Sequence, residues 1–247
     1  MSAQLRSELR KMRTTRTNLG LVLGLVALVL FGVIAGSFSG ESDLGLAEDQ
    51  RELVGNGSFA AAFAALIGVM AVTGEFRHGT IRATFVCTPS RLRVIGAKVI
   101  ASLLVGAGFG ALGAGLGLGV GVLMIRVRGY DLLVGSDDVR RLLVGTVVMS
   151  ALWAVFGVGF GAIVRNQVAA IVGLFAWVAV VEVLLYRYLP TLGRYAPGAA
   201  GTAMTGTAVG EASIDLLTAP LGGLLLVGYA VIAVAVGALV TQARDVT

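Results

Sequence analysis

From Asn18 to Ser39 the chain runs for 22 residues without a charged side chain. A helix that crosses a bilayer needs about 20 predominantly apolar residues. Lipid offers backbone N–H and C=O groups no partner, so such a segment must satisfy them internally. Five further stretches meet this requirement, at about 53–73, 93–125, 142–164, 168–185 and 219–241. The second is weakened at its start by Gly55, Asn56, Gly57 and Ser58. The third is too long for one straight span: at 1.5 Å per residue its 33 residues reach about 50 Å, against a hydrocarbon core of about 30 Å. Either it begins well outside the core or its glycines break it. Charged residues make up 13% of the chain. A soluble domain carries about 25%. The expected class is all-α: a polytopic membrane protein with six transmembrane helices in a single domain over 1–247.

Lysine and arginine placement sets the expected orientation. With the N-terminus in the cytosol, twelve of the nineteen basic residues fall inside, including Arg6, Arg10, Lys11, Arg13, Arg16, Arg77, Arg82, Arg91, Arg93 and Lys98. Seven fall outside, and ten of the fourteen acids join them. Both termini are then cytosolic in a multi-pass protein of the cell membrane. The first apolar run is too long for a signal-peptide core and reads as an uncleaved span. In the leader, residues 1–17, Leu5, Leu9 and Met12 recur at helical spacing beside Arg6, Arg10 and Arg13. This is either a basic amphipathic helix on the anionic leaflet or a plain positive-inside anchor.

Between spans two and three stands GEFRHGTIRATFVCTPSRLR, residues 74–93, with four arginines and the one histidine of the chain. A turn is expected at Gly74 and a bend at Gly79. Thr80 then caps a short helix carrying Ile81 and Phe85 on one face, Pro89 ends it, and Ser90 caps the next helix. An apolar ridge flanked by arginines in the cytosol calls for a cover, either the membrane surface or a soluble partner.

This segment, continued as VIGAKV, resembles the intracellular loop of type-2 ATP-binding-cassette (ABC) exporter permeases: Glu, aromatic, Arg, any residue, Gly, Thr, a short coupling helix, Pro, and a basic entry to span three. The leader ELRKMRTTRTNLGLVLG and the stretch GFGAIVRNQVAAIVGLFAWVAVVEVLLYRYLP are similar to two further segments of that family in the right order. The resemblance implies pairing with a separate ATPase, two copies of each subunit, with the permease as a homodimer. ATP and Mg are held by the ATPase, and this chain has no cofactor of its own. The coupling loop 74–92 would engage the ATPase through Glu75, Arg77, His78, Gly79, Thr80, Ile81, Arg82 and Phe85. Arg77, Arg82 and Arg91 would pair with ATPase acids or lipid phosphate, and Glu75 would hold the loop to the leader through Arg10 or Arg13. The substrate would be a small amphipathic compound, drug or lipid-like molecule moved outward. In the family the cavity and dimer contact involve spans one, two and five. That draws attention to Phe59, Phe63, Met70, Phe175 and Trp177 as an apolar wall, with lipid-facing positions as the alternative. Residues 188–218, rich in Gly, Ala, Thr and Pro, correspond to the family's extracellular re-entrant helices.

Glu182 is the acid set well within a span. It either pairs with an arginine across a dimer or in the outer loop, lines the substrate path, or reaches outward to water. Span three carries glycines spaced by four at Gly106–Gly110 and Gly113–Gly117–Gly121, spacing that lets helices approach closely within one subunit or across a dimer. No phosphate-binding loop of the G-x-x-x-x-G-K-[ST] kind occurs, so the chain is not expected to be an enzyme. His78 and Cys87 stand alone, which argues against a metal or haem centre. Nothing points to nucleic acid. Two other classes compete with the exporter: an ATPase-coupled membrane sensor, immunity or assembly factor, and a secondary transporter. The last would need more buried acids or histidines and internal repeats.

Overall fold

The computed structural model describes residues 2–39, 43–80, 90–207 and 215–243. The described residues are predominantly helical, without a strand. Six helices are long and apolar enough to cross a membrane, which is the architecture of a multi-pass membrane protein. In chain order the elements are α1 (Ser2–Thr14), α2 (Arg16–Phe38), α3 (Ala47–Gly55), a 3₁₀ turn (Asn56–Phe59) and α4 (Ala60–Arg77). After the loop come α5 (Arg91–Val127), α6 (Ser136–Val164), α7 (Gln167–Ala176), a π-helical turn (Trp177–Glu182) and α8 (Val183–Tyr188). Two short helices, α9 (Pro190–Gly193) and α10 (Pro197–Thr205), precede α11 (Ala219–Ala243). Pro190, Pro197 and Pro220 all lie in the first turn of a helix, where the missing N–H breaks no bond.

The second span is longer than expected. It runs from Ala47 to Arg77, and the polar Gly55–Ser58 stretch passes through it as the 3₁₀ turn. Gly74 makes no turn, being inside α4. The turn is at Gly79, which takes a left-handed φ of 67°. The N–H of Thr80 donates to Glu75 O and that of Gly79 to Phe76 O, the paired bonds of a Schellman C-cap. The glycines of α5 do not break it: 37 residues form one helix of about 55 Å, so it projects beyond any hydrocarbon core. Ser90 sits at its N-cap position without a side-chain capping bond.

The α3–α4 span and α6 are central, each with 61% of its apolar window buried. The corresponding figure is 17% for both α2 and the α7–α8 span. Helix α6 packs against α4, α5 and α11. Glycine makes the central crossing close. A Cβ on Gly68 would lie 2.0 Å from Ala154 O, and one on Gly157 would lie 2.3 Å from Ala65 O. The spaced glycines of α5 serve packing inside the chain. Gly106 and Gly110 meet the α6 backbone around Ser150 and Thr146, while Gly113 and Gly117 meet Gly57 of the 3₁₀ turn. Without side chains in the way, backbone contact can replace the hydrophobic driving force that lipid does not provide.

The apolar face of the leader is turned inward. Met12 is buried, and Leu5 and Leu9 pack against the bundle core, so this face covers the spans rather than a lipid leaflet. Arg6 and Arg10 lie on its exposed side.

Candidate functional site

The charged pattern of the leader end starts with Lys98. It is the one ionisable residue between Val94 and Ile125, and it is 2% exposed. An ammonium so placed must use its three donors. All three are used: Lys98 Nζ donates to Glu8 Oε2 at 2.9 Å, Glu75 Oε1 at 2.8 Å and Ala71 O at 2.9 Å. Lys11 Nζ adds bonds to Glu8 Oε1 at 2.9 Å and Glu75 Oε1 at 2.8 Å. Two carboxylates and two ammoniums thus form a neutral quartet that joins α1, α4 and α5. Burial alone would lower the Lys11 pKa, but the bonds to Glu75 and Glu8 outweigh it and raise it above its ordinary value.

Glu75 does reach the leader, and the cation that binds it there is Lys11, next to Arg10; the Arg13 side chain lies outside the described residues. Lys98 and Glu8 were not singled out from the sequence. The signal was present: a lone lysine seven residues into an apolar helix needs a carboxylate, and Glu8 lies one turn from Lys11 on the inward face of α1.

The same end carries further ties. Arg77 Nη1 donates to Gln167 Oε1 at 3.4 Å, linking α4 to α7. Arg165, left-handed at φ 58°, ends α6; its Nη2 donates to Val240 O of α11 at 2.9 Å, and its guanidinium lies 5.2 Å from the Phe76 ring centroid. Asn166 caps α7 by accepting from Ala169 N. His78 Nδ1 lies 2.8 Å from Gly74 O. Arg77, His78, Gly79 and Thr80 are exposed at the end of α4. Ile81, Arg82, Phe85 and Cys87 lie outside the described residues, as does the expected short helix; Arg91 begins α5. A cleft of about 460 Å³ opens here between α1, α2, α4 and α7, with Glu75, Lys11, Arg77, His78 and Met70 among its walls.

The six residues considered for a substrate path separate into four places. Phe59 and Phe175 line one apolar groove of about 250 Å³ between α4, α6, α7 and α10, floored by Met149 and Trp153. Phe63 packs beside Gly24 of α2. Met70 belongs to the leader-end cleft. Trp177 and Glu182 bind one another at the π turn: Trp177 Nε1 donates to Glu182 Oε1 at 3.0 Å. In a regular helix residues five apart lie about 140° apart around the axis. The wider π turn brings the two to one side.

Glu182 is 1% exposed, which rules out a path outward to water. Among the described residues no arginine forms an ion pair with it. Its partners are neutral: Tyr186 OH donates to Oε2 at 2.6 Å and Gly198 N to Oε1 at 3.0 Å, besides Trp177. Gly198 is the second residue of α10, so the carboxylate fixes that helix to the fifth span. A Cβ at 198 would come within 2.0 Å of Glu182 Oε2, so any larger residue there would have to displace the carboxylate. Another polar staple at this end is Gln50, fully buried, which donates to Leu44 O and Asp131 O and accepts from Leu133 N.

Among the described residues no group of three or more His, Cys, Asp or Glu is placed to hold a metal ion. No protein-family model matches the chain, and no curated protein matches it.

Proposed function

We propose that the chain is the membrane permease subunit of a type-2 ABC exporter, moving an amphipathic, drug-like or lipid-like compound outward under the power of a separate ATPase. The observation that carries this reading is the quartet of Glu8, Lys11, Glu75 and Lys98. The loop between α4 and α5 is bordered by the helix ends that the quartet locks to α1. A partner that grips this loop therefore cannot move it without moving α1, α4 and α5 together. A buried, multiply bonded ion cluster resists separation, which is what a joint transmitting force needs. Arg77 and Arg82 would face the partner on the cytosolic side, and the quartet would lie behind them.

In this reading α9 and α10 form the re-entrant cap at the outer face, and Glu182 holds the cap to span five. The groove lined by Phe59 and Phe175 is apolar and lies beside that cap, which suits an amphipathic substrate. Glu182 would position the cap rather than touch the substrate. A second copy of the chain would complete the cavity.

Purification of the full chain from its host in mild detergent tests the proposal, beside an Arg77→Ala/Arg82→Ala variant that leaves the quartet intact. An ATPase subunit is expected to copurify near one to one and to be lost from the variant. Absence of any ATPase from a preparation that keeps permease dimers would end the reading. ATPase association without substrate-stimulated ATP hydrolysis would favour the sensor or assembly alternative.

A further inference from the structure

The chain has two tryptophans, and the bundle treats their indole N–H groups differently. Trp177 donates to Glu182. Trp153 is 6% exposed, yet its N–H makes no hydrogen bond among the described residues. A buried indole N–H ordinarily finds a partner, and leaving it bare is costly. Nε1 is not sealed in. The hydroxyls of Thr146 and Ser150 on the same helix are enclosed and unpartnered, whereas Trp153 Nε1 keeps accessible surface. The opening that Trp153 borders is the 250 Å³ groove. Nε1 lies beside Gly201 of α10, where an added Cβ would come within 3.3 Å of it, and the next residue, Thr202, belongs to the groove wall.

The other donors of the groove are already committed. Ser58 Oγ donates to Gly55 O at 2.7 Å, Thr202 Oγ1 to Ala199 O at 3.0 Å and Gly198 N to Glu182 Oε1 at 3.0 Å. No ionisable side chain among the described residues lines it. The groove thus presents one free donor between the apolar walls of Phe59, Phe175, Val178 and Met149.

We infer that the groove binds an uncharged lipophilic compound by a carbonyl oxygen, which accepts the hydrogen bond of Trp153 Nε1. The single free donor selects an acceptor. The lack of any charged partner selects against an ammonium or a carboxylate at this place. A volume of 250 Å³ falls just short of the roughly 300–1,000 Å³ of complete small-molecule sites. The groove therefore takes the carbonyl-bearing end of a compound and leaves the rest along the exposed faces of Phe59 and Phe175. Two sources share this chemistry: a free ketone, ester or amide, and the ester carbonyl of a bilayer lipid. The inference rests on the transport proposal only in calling this ligand a substrate, since binding itself needs no ATPase.

Indole proton resonances test it, recorded on the full chain with isotope-labelled tryptophan in nanodiscs of ether-linked lipid, which carries no ester carbonyl. The probes are benzophenone and diphenylmethane, which differ in having C=O or CH₂ between the same two rings. Benzophenone should move one of the two indole signals downfield to saturation and bind roughly tenfold more tightly than diphenylmethane. Benzhydrylammonium, the charged analogue, should not compete. Trp153→Phe should remove the responding signal and bring ketone and hydrocarbon to equal affinity. The comparison of probes on the unaltered chain stands even if that variant fails to fold. An indole signal that is downfield in ester-linked lipid before any probe is added, and returns in ether-linked lipid, would assign the carbonyl to the bilayer. A shift produced by benzophenone alone would assign it to the free compound; both keep the carbonyl at Trp153. Equal affinity of ketone and hydrocarbon on the unaltered chain, as expected if the indole holds only water, would overturn the inference. So would a responding signal that survives Trp153→Phe and hence belongs to Trp177. Ketone preference in a protein that brings down no ATPase would keep this site and end the transport reading, and the reverse result would do the opposite.

Discussion

Two carboxylates lie buried at opposite ends of the same bundle, and they are stabilised in different ways. Glu75 is held by two ammoniums, with one oxygen doubly bonded and the other bare. Glu182 has no cation among the described residues and uses both oxygens on three neutral donors. The first arrangement couples three helices through charge, so removing one member strands the others. The second is a set of local bonds around a π turn, and each can be lost with a smaller penalty. In the proposed exporter the contrast would suit a joint moving as a unit at one end and a cap merely held at the other.

Lys98→Met should produce the largest effect. It leaves Glu8 and Glu75 with half-exposed Lys11 alone, and stranding buried charge in this way costs about 3–5 kcal/mol. Thermal unfolding in detergent should show the loss. Adding Glu75→Leu should restore a good part of it, since replacing both partners of a buried pair with apolar residues is close to neutral. A double variant as unstable as the single one would mean that the quartet does not act as a charge cluster.

Tyr186→Phe is next, because it gives Glu182 the bare oxygen that Glu75 already has. Leaving Oε2 unpaired should cost about 2 kcal/mol. Amide exchange in α10 should rise with little change in α1. If protection falls equally at both ends, the two sites are not independent.

Glu182→Gln should cost less, about 1 kcal/mol. The amide oxygen can still accept from Trp177 and Gly198, and the amide N–H can donate to the Tyr186 hydroxyl. Export activity, if present, should persist for cationic and neutral compounds alike. Selective loss for cations would return Glu182 to the substrate path.

The smallest effect concerns pH. The Lys11 pKa is raised, so its bonds contribute fully below the ordinary value of 10.5 and are lost only as pH rises through the higher folded value. Docking of the leader should therefore be flat between pH 6 and pH 9 and weaken above about pH 10.5. A fluorophore on the leader would report this, and Lys11→Met should remove the alkaline transition. A transition near neutrality that depends on Lys11 would contradict the geometry.

Much of the fold was legible because hydropathy acts locally. Six runs of sufficient length produce six helices, and the errors lie at their ends. Gly74 was expected to turn and is helical, since Gly79, able to adopt positive φ, closes the helix five residues later. The leader was read as amphipathic from Leu5, Leu9 and Met12, which is correct as a pattern. What the pattern omits is which apolar surface it covers, because lipid and protein core look alike to a hydrophobic stripe. The apolar residues of spans two and five illustrate the same limit. Phe59 and Phe175 share a groove while Phe63 and Met70 face elsewhere, and helix phase is fixed only by the neighbours each helix packs on.

Sequence alone determined the class, the number of spans and the excess of basic residues at one end, because each depends on the solvent preference of short stretches. It also required that Lys98 and Glu182 be compensated, since an ionisable group inside an apolar helix cannot stand bare. Only the tertiary structure decided how. Lys98 found Glu8 and Glu75, 90 and 23 residues away, and Glu182 found the backbone of Gly198 across a loop. Partners so distant in the chain meet only after glycine-lined helices have packed, and the geometry of that packing sets which charges are neutralised and which oxygen is left without a donor.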